Sequence, residues 1–371
     1  MAKIVTVYSD RAEEFRPLDM SYIRWLKISE ALARRGHQVD MATNEKQLRG
    51  RFLRKASAIQ MAHNLRRISI RDVRWGDYDV VKTLFHNGFR TLRKFGGSSH
   101  PFIISKLGSV VASTEQEGIH FHGEVRARLF RTQQRVYKTS RYVTLLTEPA
   151  KALWEASFPP KGNTLLVPGA VDAEVPARGQ NPFQGGAVHC VFSGNVYGRT
   201  MQPEANAVLI EKLNQLGKYL AGHGARLYLL GPGDVSQLDR RFVDYLGAVP
   251  YERSWDYLYF ANVGVVLAPG KYLHNNESTK IYHYLRAGLP VVVEAGFPNS
   301  HIVEEATLGF VASNGDMKAM AGLVLQAANT CWQPARAIEY ILAHHTWDVR
   351  VKVYDLLLRE HGFSAPTHPS A

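Results

Sequence analysis

Short apolar runs alternate along the whole chain with stretches whose apolar residues recur at helical spacing. This alternation restricts the chain to parallel sheets covered by helices on both faces. Strands are expected at residues 4–8, 38–42, 79–84, 102–107, 142–146 and 164–168, and in a second series at 188–193, 226–230, 263–267 and 289–294. Between the first two strands, Ile23, Leu26, Ile28, Ala31 and Leu32 recur at helical spacing and Gly36 follows as a stop. That gives one complete strand, helix, strand unit. Further helices are expected at 203–221, 280–286 and 347–359.

The alternation breaks once, at residues 172–187, where Pro, Gly, Gln and Asn accumulate without periodicity and read as a linker. With 371 residues, 45% of them hydrophobic, two cores are the natural expectation. The predicted organisation is an α/β chain of two Rossmann-like domains, residues 1–172 and 173–345. A C-terminal helix, 346–362, crosses back onto the first domain. Facing across a cleft, two such sheets direct the carboxyl ends of their strands, where ligands bind, towards that cleft.

The net charge of +12 is unevenly spread. Residues 1–172 carry 29 Lys and Arg against 16 Asp and Glu, so the excess lies wholly in the first half. It is densest around Arg49, Arg51, Arg54, Lys55, Arg66 and Arg67. Such a stripe suits an anionic membrane or acceptor, and a solvated face is the plainer alternative. Nucleic acid is not expected as a partner, because few aromatic residues are interleaved with these charges. Cys190 and Cys331 are isolated, so neither a disulfide framework nor a metal site is indicated. The chain opens directly on a strand-like run without a leader, and no run of about 18 apolar residues would span a bilayer. The expected location is cytoplasmic and peripheral at the inner membrane face.

Several candidate residues follow strands. Gly194, directly after the apolar run 188–193, lets backbone N–H groups approach a phosphate closely, although an ordinary turn would use glycine as well. Arg199 and Lys280 supply two cations for a diphosphate. Ser278 and Thr279 read as the N-cap region of the helix carrying Lys280, whose positive end favours the same anion. In the first half, His120 and His122 lie in a loop of mixed histidines and glutamates, and their titration range suits proton transfer. His86 and Asp19 are further candidates for a base. A surface lid without chemistry is the alternative for the loop, and no third ligand stands at metal-binding spacing.

The stretch ISEALARRGHQV at 28–39 closely resembles the first helix and second strand of GT-B glycosyltransferases of the large fourth family. VPGAVD at 167–172 is similar to the segment ending their N-terminal domain. SGN at 193–195, LGAVPYERSWDYLYFANVGVVLAP at 246–269 and NESTKIYHYLRAGLPVV at 276–292 resemble their donor-binding domain. The resemblance covers nearly the whole chain. It implies a nucleotide diphosphate sugar as donor substrate, no resident cofactor, and a role in polysaccharide biosynthesis. Asn195 falls in the first donor motif, Val249 to Tyr251 would read the base edge, and Glu277 would contact sugar or ribose. The family usually places a glutamate where this chain has His283, and a neutral imidazole can still accept one hydrogen bond. Lys280, three residues earlier, is similar in spacing to that of polysaccharide glucuronosyltransferases. The expected activity is sugar transfer to a lipid-linked or surface-polysaccharide acceptor. The alternatives are a nucleotide-sugar epimerase of the same fold and a basic nucleic-acid-binding protein.

Overall fold

The computed structural model describes residues 1–8, 20–43, 58–115, 121–185, 187–196, 203–270 and 275–363. They form two compact units. One comprises Met1–Gln116, Phe121–Gly169 and the residues from Trp347 on, and the other is built on Ala170–Thr346.

The first unit runs β1 (Lys3–Val7), α1 (Met20–Arg34), β2 (Gln38–Thr43), β3 (Ala58–Ala62), β4 (Leu65–Ser69), β5 (Val80–Leu84), α2 (Phe85–Lys94), β6 (Ile103–Lys106), α3 (Gly123–Thr139), β7 (Tyr142–Leu145), α4 (Glu148–Ser157) and β8 (Thr164–Leu166). Its eight strands lie in the order β3-β4-β2-β1-β5-β6-β7-β8. All pair in parallel except β3 with β4. The central strands are apolar on both faces, as Ile4, Val5, Val7, Val80, Val81 and Leu84 are all buried. Sheet order reverses between β1 and β5, because the chain leaves β1 towards β2 and leaves β5 towards β6.

Helix Trp347–Glu360 belongs to this unit. It buries Trp347, Val351, Tyr354, Asp355 and Leu358, one face at helical spacing, while Leu356 points outwards. Polar groups fix its register on α1 and β2. Arg34 makes a bidentate contact with Asp348 at 3.0 and 3.1 Å, and Arg35 pairs with Asp355. The buried His37 ring stands with Nε2 3.2 Å from the other Asp355 oxygen, while its Nδ1 accepts from the Ala2 N–H.

The second unit runs β9 (Val188–Ser193), α5 (Pro203–Ala221), β10 (Ala225–Leu230), β11 (Val243–Gly247), α6 (Tyr251–Phe260), β12 (Val263–Val266), α7 (Thr279–Arg286), β13 (Val291–Glu294), α8 (Ile302–Glu305), β14 (Gly309–Ala312), α9 (Met317–Asn329) and α10 (Pro334–His344). Its six strands are all parallel in the order β11-β10-β9-β12-β13-β14. Two apolar layers cover its faces, one centred on Leu209, Leu213, Leu216 and Val324, the other on Trp255, Ile281 and Tyr284. Here the order reverses between β9 and β12. The loops following these two strands are where an open parallel sheet presents a ligand crevice. No helix of the described residues is long and apolar enough to cross a membrane.

Candidate active site

The carboxyl end of β9 meets the start of α7. Gly194 follows β9 directly, and its N–H donates to the Leu230 carbonyl at 2.7 Å. A Cβ built on Gly194 would stand 2.7 Å from Lys280 Nζ. Glycine at this position therefore makes room for the lysine, which lies along the loop with its ammonium 4.8 Å from the centre of the Phe192 ring. Desolvation lowers Lys280 from its ordinary value to about 8. An anion at this point would favour the charged form and raise the value again.

The helix carrying Lys280 is tied to β9 from inside the core. Tyr284 is fully buried, its hydroxyl accepts from the Ser193 N–H at 2.7 Å, and its ring lies where a side chain at Gly264 of β12 would stand. At its other end the helix is held through Asn299, which accepts from the Ser278 N–H at 3.0 Å and donates to the Ser278 carbonyl at 2.9 Å. Ser278 occupies the N-cap position, but its side chain makes no capping hydrogen bond. The first-turn N–H groups of α7, starting at Thr279, carry the partial positive charge of a helix start beside the Lys280 ammonium.

His283 lies one turn along α7. Its Nδ1 donates to the Thr279 carbonyl at 2.9 Å, which leaves Nε2 as an acceptor, and burial lowers its basicity. The imidazole packs against Trp255 at 5.7 Å and edge-on to Tyr251 at 6.3 Å. The Tyr251 hydroxyl donates to Asp172 at 3.1 Å, and Val249 is buried against the same core. Glu277 accepts from the Tyr282 hydroxyl at 2.9 Å. Asn195 is exposed beside Gly194. The structure thus gathers Gly194 with Lys280, and His283 with Tyr251, around α7. Arg199 lies outside the described residues.

Beyond β12 the chain is clamped by a buried ion pair. Glu294, fully buried at the end of β13, accepts from the Ala268 N–H at 2.6 Å and from the Gly315 N–H at 2.9 Å. Lys212 of α5 pairs with the same carboxylate at 2.8 Å and donates to the Ala268 carbonyl at 2.8 Å. Sequence reading did not single out Tyr284, Asn299, Lys212 or Glu294. A glycine inside a strand, Gly264, was the one available signal that something approaches β12 closely.

In the first unit, His86 is buried and its Nε2 donates to the Gln133 side chain at 3.2 Å. Burial takes it down to about 4, so it is neutral throughout the physiological range. His122 is exposed at the start of α3, 3.2 Å from Glu115, whose carboxylate also accepts from the Gly123 N–H and pairs with Arg126. This glutamate serves as the cap of α3. Arg66 sits on β4 opposite Asp40, to which it donates at 2.8 and 2.6 Å, so its charge is balanced in place. Arg67, on the same strand, lies over the Tyr22 ring. Asp19, His120, Arg49, Arg51, Arg54 and Lys55 lie outside the described residues. Among the described residues no group of three His, Cys, Asp or Glu side chains could hold a metal ion.

Residues 219–319 match a family model described as Glucosyltransferase 3-like, C-terminal domain. This stretch spans β10 to the start of α9 and includes all of α7. No curated protein matches the chain. Among solved structures, sucrose-phosphate synthase of Thermosynechococcus elongatus superposes with a TM-score of 0.71 at 15% identity, covering 98% of this chain and 100% of the other. HepE of Anabaena, solved in complex with UDP and glucose, gives 0.66 at 11% identity over 97% and 100%. WaaG, a glycosyltransferase involved in lipopolysaccharide biosynthesis, gives 0.63 at 14% identity over 95% and 98%. The matched domain, together with the fold shared with these proteins, points to a glycosyltransferase enzyme of GT-B architecture.

Proposed function

We propose that the chain transfers a sugar from a nucleotide diphosphate sugar to a lipid-linked or surface-polysaccharide acceptor. One observation carries the donor half of this reading, namely Lys280 lying against Gly194 where the sheet order of the second unit reverses. A diphosphate seated there would accept from backbone N–H groups of the Gly194 loop, from the first turn of α7 and from the ammonium. As the glycosidic bond breaks, negative charge builds on the leaving diphosphate, and these donors stabilise it most where charge is greatest. Arg199 would add a second cation, and Nε2 of His283 would accept from a ribose hydroxyl. Structures of HepE hold UDP and UDP-glucose, which makes UDP and UDP-glucose the first probes.

The acceptor half rests on charge. On α3, Arg128, Arg131, Arg135 and Lys138 are exposed along one helical face about 15 Å long. Among the described residues none of the four forms an ion pair. Such a stripe supports contact with an anionic surface bearing the acceptor.

Lys280→Ala tests the donor site. UDP affinity measured by calorimetry should fall at least tenfold, the usual scale for losing a charge-assisted contact to phosphate. The far-ultraviolet circular dichroism should stay unchanged. Parental affinity in this variant removes the donor assignment.

A further inference from the structure

In the first unit, the sheet order reverses between β1 and β5, and the residue directly after β5 is Phe85. Its backbone has φ 57°, in the left-handed region that a bulky side chain rarely adopts. Thr307 is the only other described non-glycine residue with positive φ. Three neighbours are packed closely around this junction. Leu84 is fully buried in β5, so the strand cannot slide. Gly88, one turn into α2, sits so close to β1 that a Cβ there would stand 2.6 Å from the Val7 carbonyl oxygen. Gly108, just beyond β6, leaves open the place over which the Phe85 ring lies, since a Cβ on it would stand 3.0 and 3.2 Å from two ring carbons.

The Phe85 ring lies against Gly108 at the carboxyl end of the sheet and is only half-buried. A left-handed phenylalanine beside two close-packed glycines, at a crevice-forming point of a parallel sheet, is the pattern of a residue positioned for a ligand. An aromatic face carries partial negative charge and attracts the weakly positive C–H groups on the apolar face of a pyranose ring. Close in sequence to Phe85 and to Gly108 respectively are Asn87, exposed and accepting from Arg90, and the half-buried Ser109.

We propose that Phe85, seated on Gly108 at the β1–β5 reversal, is the stacking platform for the pyranose ring of the acceptor. This rests on the reading of the chain as a sugar transferase, and it assigns the acceptor's binding contact to the first unit.

The test places 4-fluorophenylalanine at position 85 of the full chain and follows its fluorine resonance. The titrants are a panel of octyl pyranosides (gluco, galacto, rhamno and N-acetylglucosamino), kept below micelle-forming concentration, with 1-octanol as control. The resonance should move saturably with at least one pyranoside and not with octanol. Phe85→Ala and Phe85→Gly should each weaken that pyranoside about tenfold, the scale of one lost stacking contact, while Phe85→Tyr retains it. Phe85→Gly should also melt higher than Phe85→Ala, because only glycine takes this backbone conformation without cost. No saturable movement with any pyranoside, or equal movement with octanol, overturns the platform. So does a Phe85→Ala variant that melts higher than Phe85→Gly. UDP calorimetry on the same samples separates the two readings. Loss of UDP binding by the parent protein sinks the donor assignment, whereas intact UDP binding without a pyranoside response sinks Phe85 alone.

Discussion

Lys280 carries more of the proposed chemistry than any other side chain, and its titration makes that role measurable. Desolvation beside Phe192 and Gly194 lowers it to about 8 in the free protein, and a bound diphosphate would favour the ammonium and raise it again. Between the free and bound values, binding must take up a proton. UDP affinity should therefore be flat below about pH 8 and fall roughly tenfold per pH unit above it. Calorimetry from about pH 7 to about pH 9.5, in buffers of different ionisation heat, reads both the slope and the proton uptake. Lys280→Arg should remove the break even where it weakens binding, since arginine does not titrate in this range. A flat profile for the parent protein would show that Lys280 is not the phosphate contact. The closeness of Gly194 and Lys280 joins two residues that the sequence offered as candidates, because a glycine after an apolar strand and a lysine after Ser278–Thr279 are local patterns. Tyr284 was not among them, because its use depends on a hydroxyl reaching a strand 91 residues away in sequence. Phe85 was equally hidden, since a backbone dihedral leaves no mark on a single residue letter.

Among the elements, the segment just beyond β12 is anchored by two others. Lys212 from α5 and Glu294 from β13 grip both backbone groups of Ala268, so both elements converge on one residue. Glu294 is fully buried and Lys212 nearly so. Removing the lysine leaves a carboxylate without its cation in the core, and such losses cost about 3–5 kcal/mol. Lys212→Ala should lower the free energy of unfolding of the second unit by that amount in urea titration. Lys212→Met with Glu294→Gln, which removes both charges and keeps most of the volume, should recover a large part of it. A loss below about 1 kcal/mol in Lys212→Ala would show the pair to be no more than a surface-type contact. The central strands were readable because continuous apolar runs identify a strand buried on both faces. The short strands β3, β4, β11 and β14 were missed, as they are four or five residues long and only partly buried, too brief for a period to show. The basic segment around Arg66, expected as part of a stripe open to an anionic surface, holds strand β4, in which Asp40 neutralises that arginine from the neighbouring strand.

At the scale of the whole molecule the question is where the positive excess of the first half becomes available to a partner. Arg34, Arg35, Arg66 and Arg126 are spent on Asp348, Asp355, Asp40 and Glu115. The exposed cations of α3 are not, and with Arg128, Arg131, Arg135 and Lys138 within about 15 Å their fields add over a flat anionic surface. Each cation held near such a surface contributes about 1 kcal/mol, so four together change partitioning by two to three orders of magnitude. Replacing all four by glutamine should abolish flotation with vesicles containing anionic lipid at low salt while leaving UDP affinity untouched, because α7 lies in the other unit. Raising the salt should release the parent protein as screening shortens the reach of the charges. If the quadruple variant floats as well as the parent, the surface contact lies elsewhere in the first half, and Arg49, Arg51, Arg54 and Lys55 become the residues to neutralise next. Loss of flotation alongside unchanged UDP binding would divide the labour of the chain by charge, with the acceptor surface met by the basic half and the nucleotide held by the half whose net charge is close to zero.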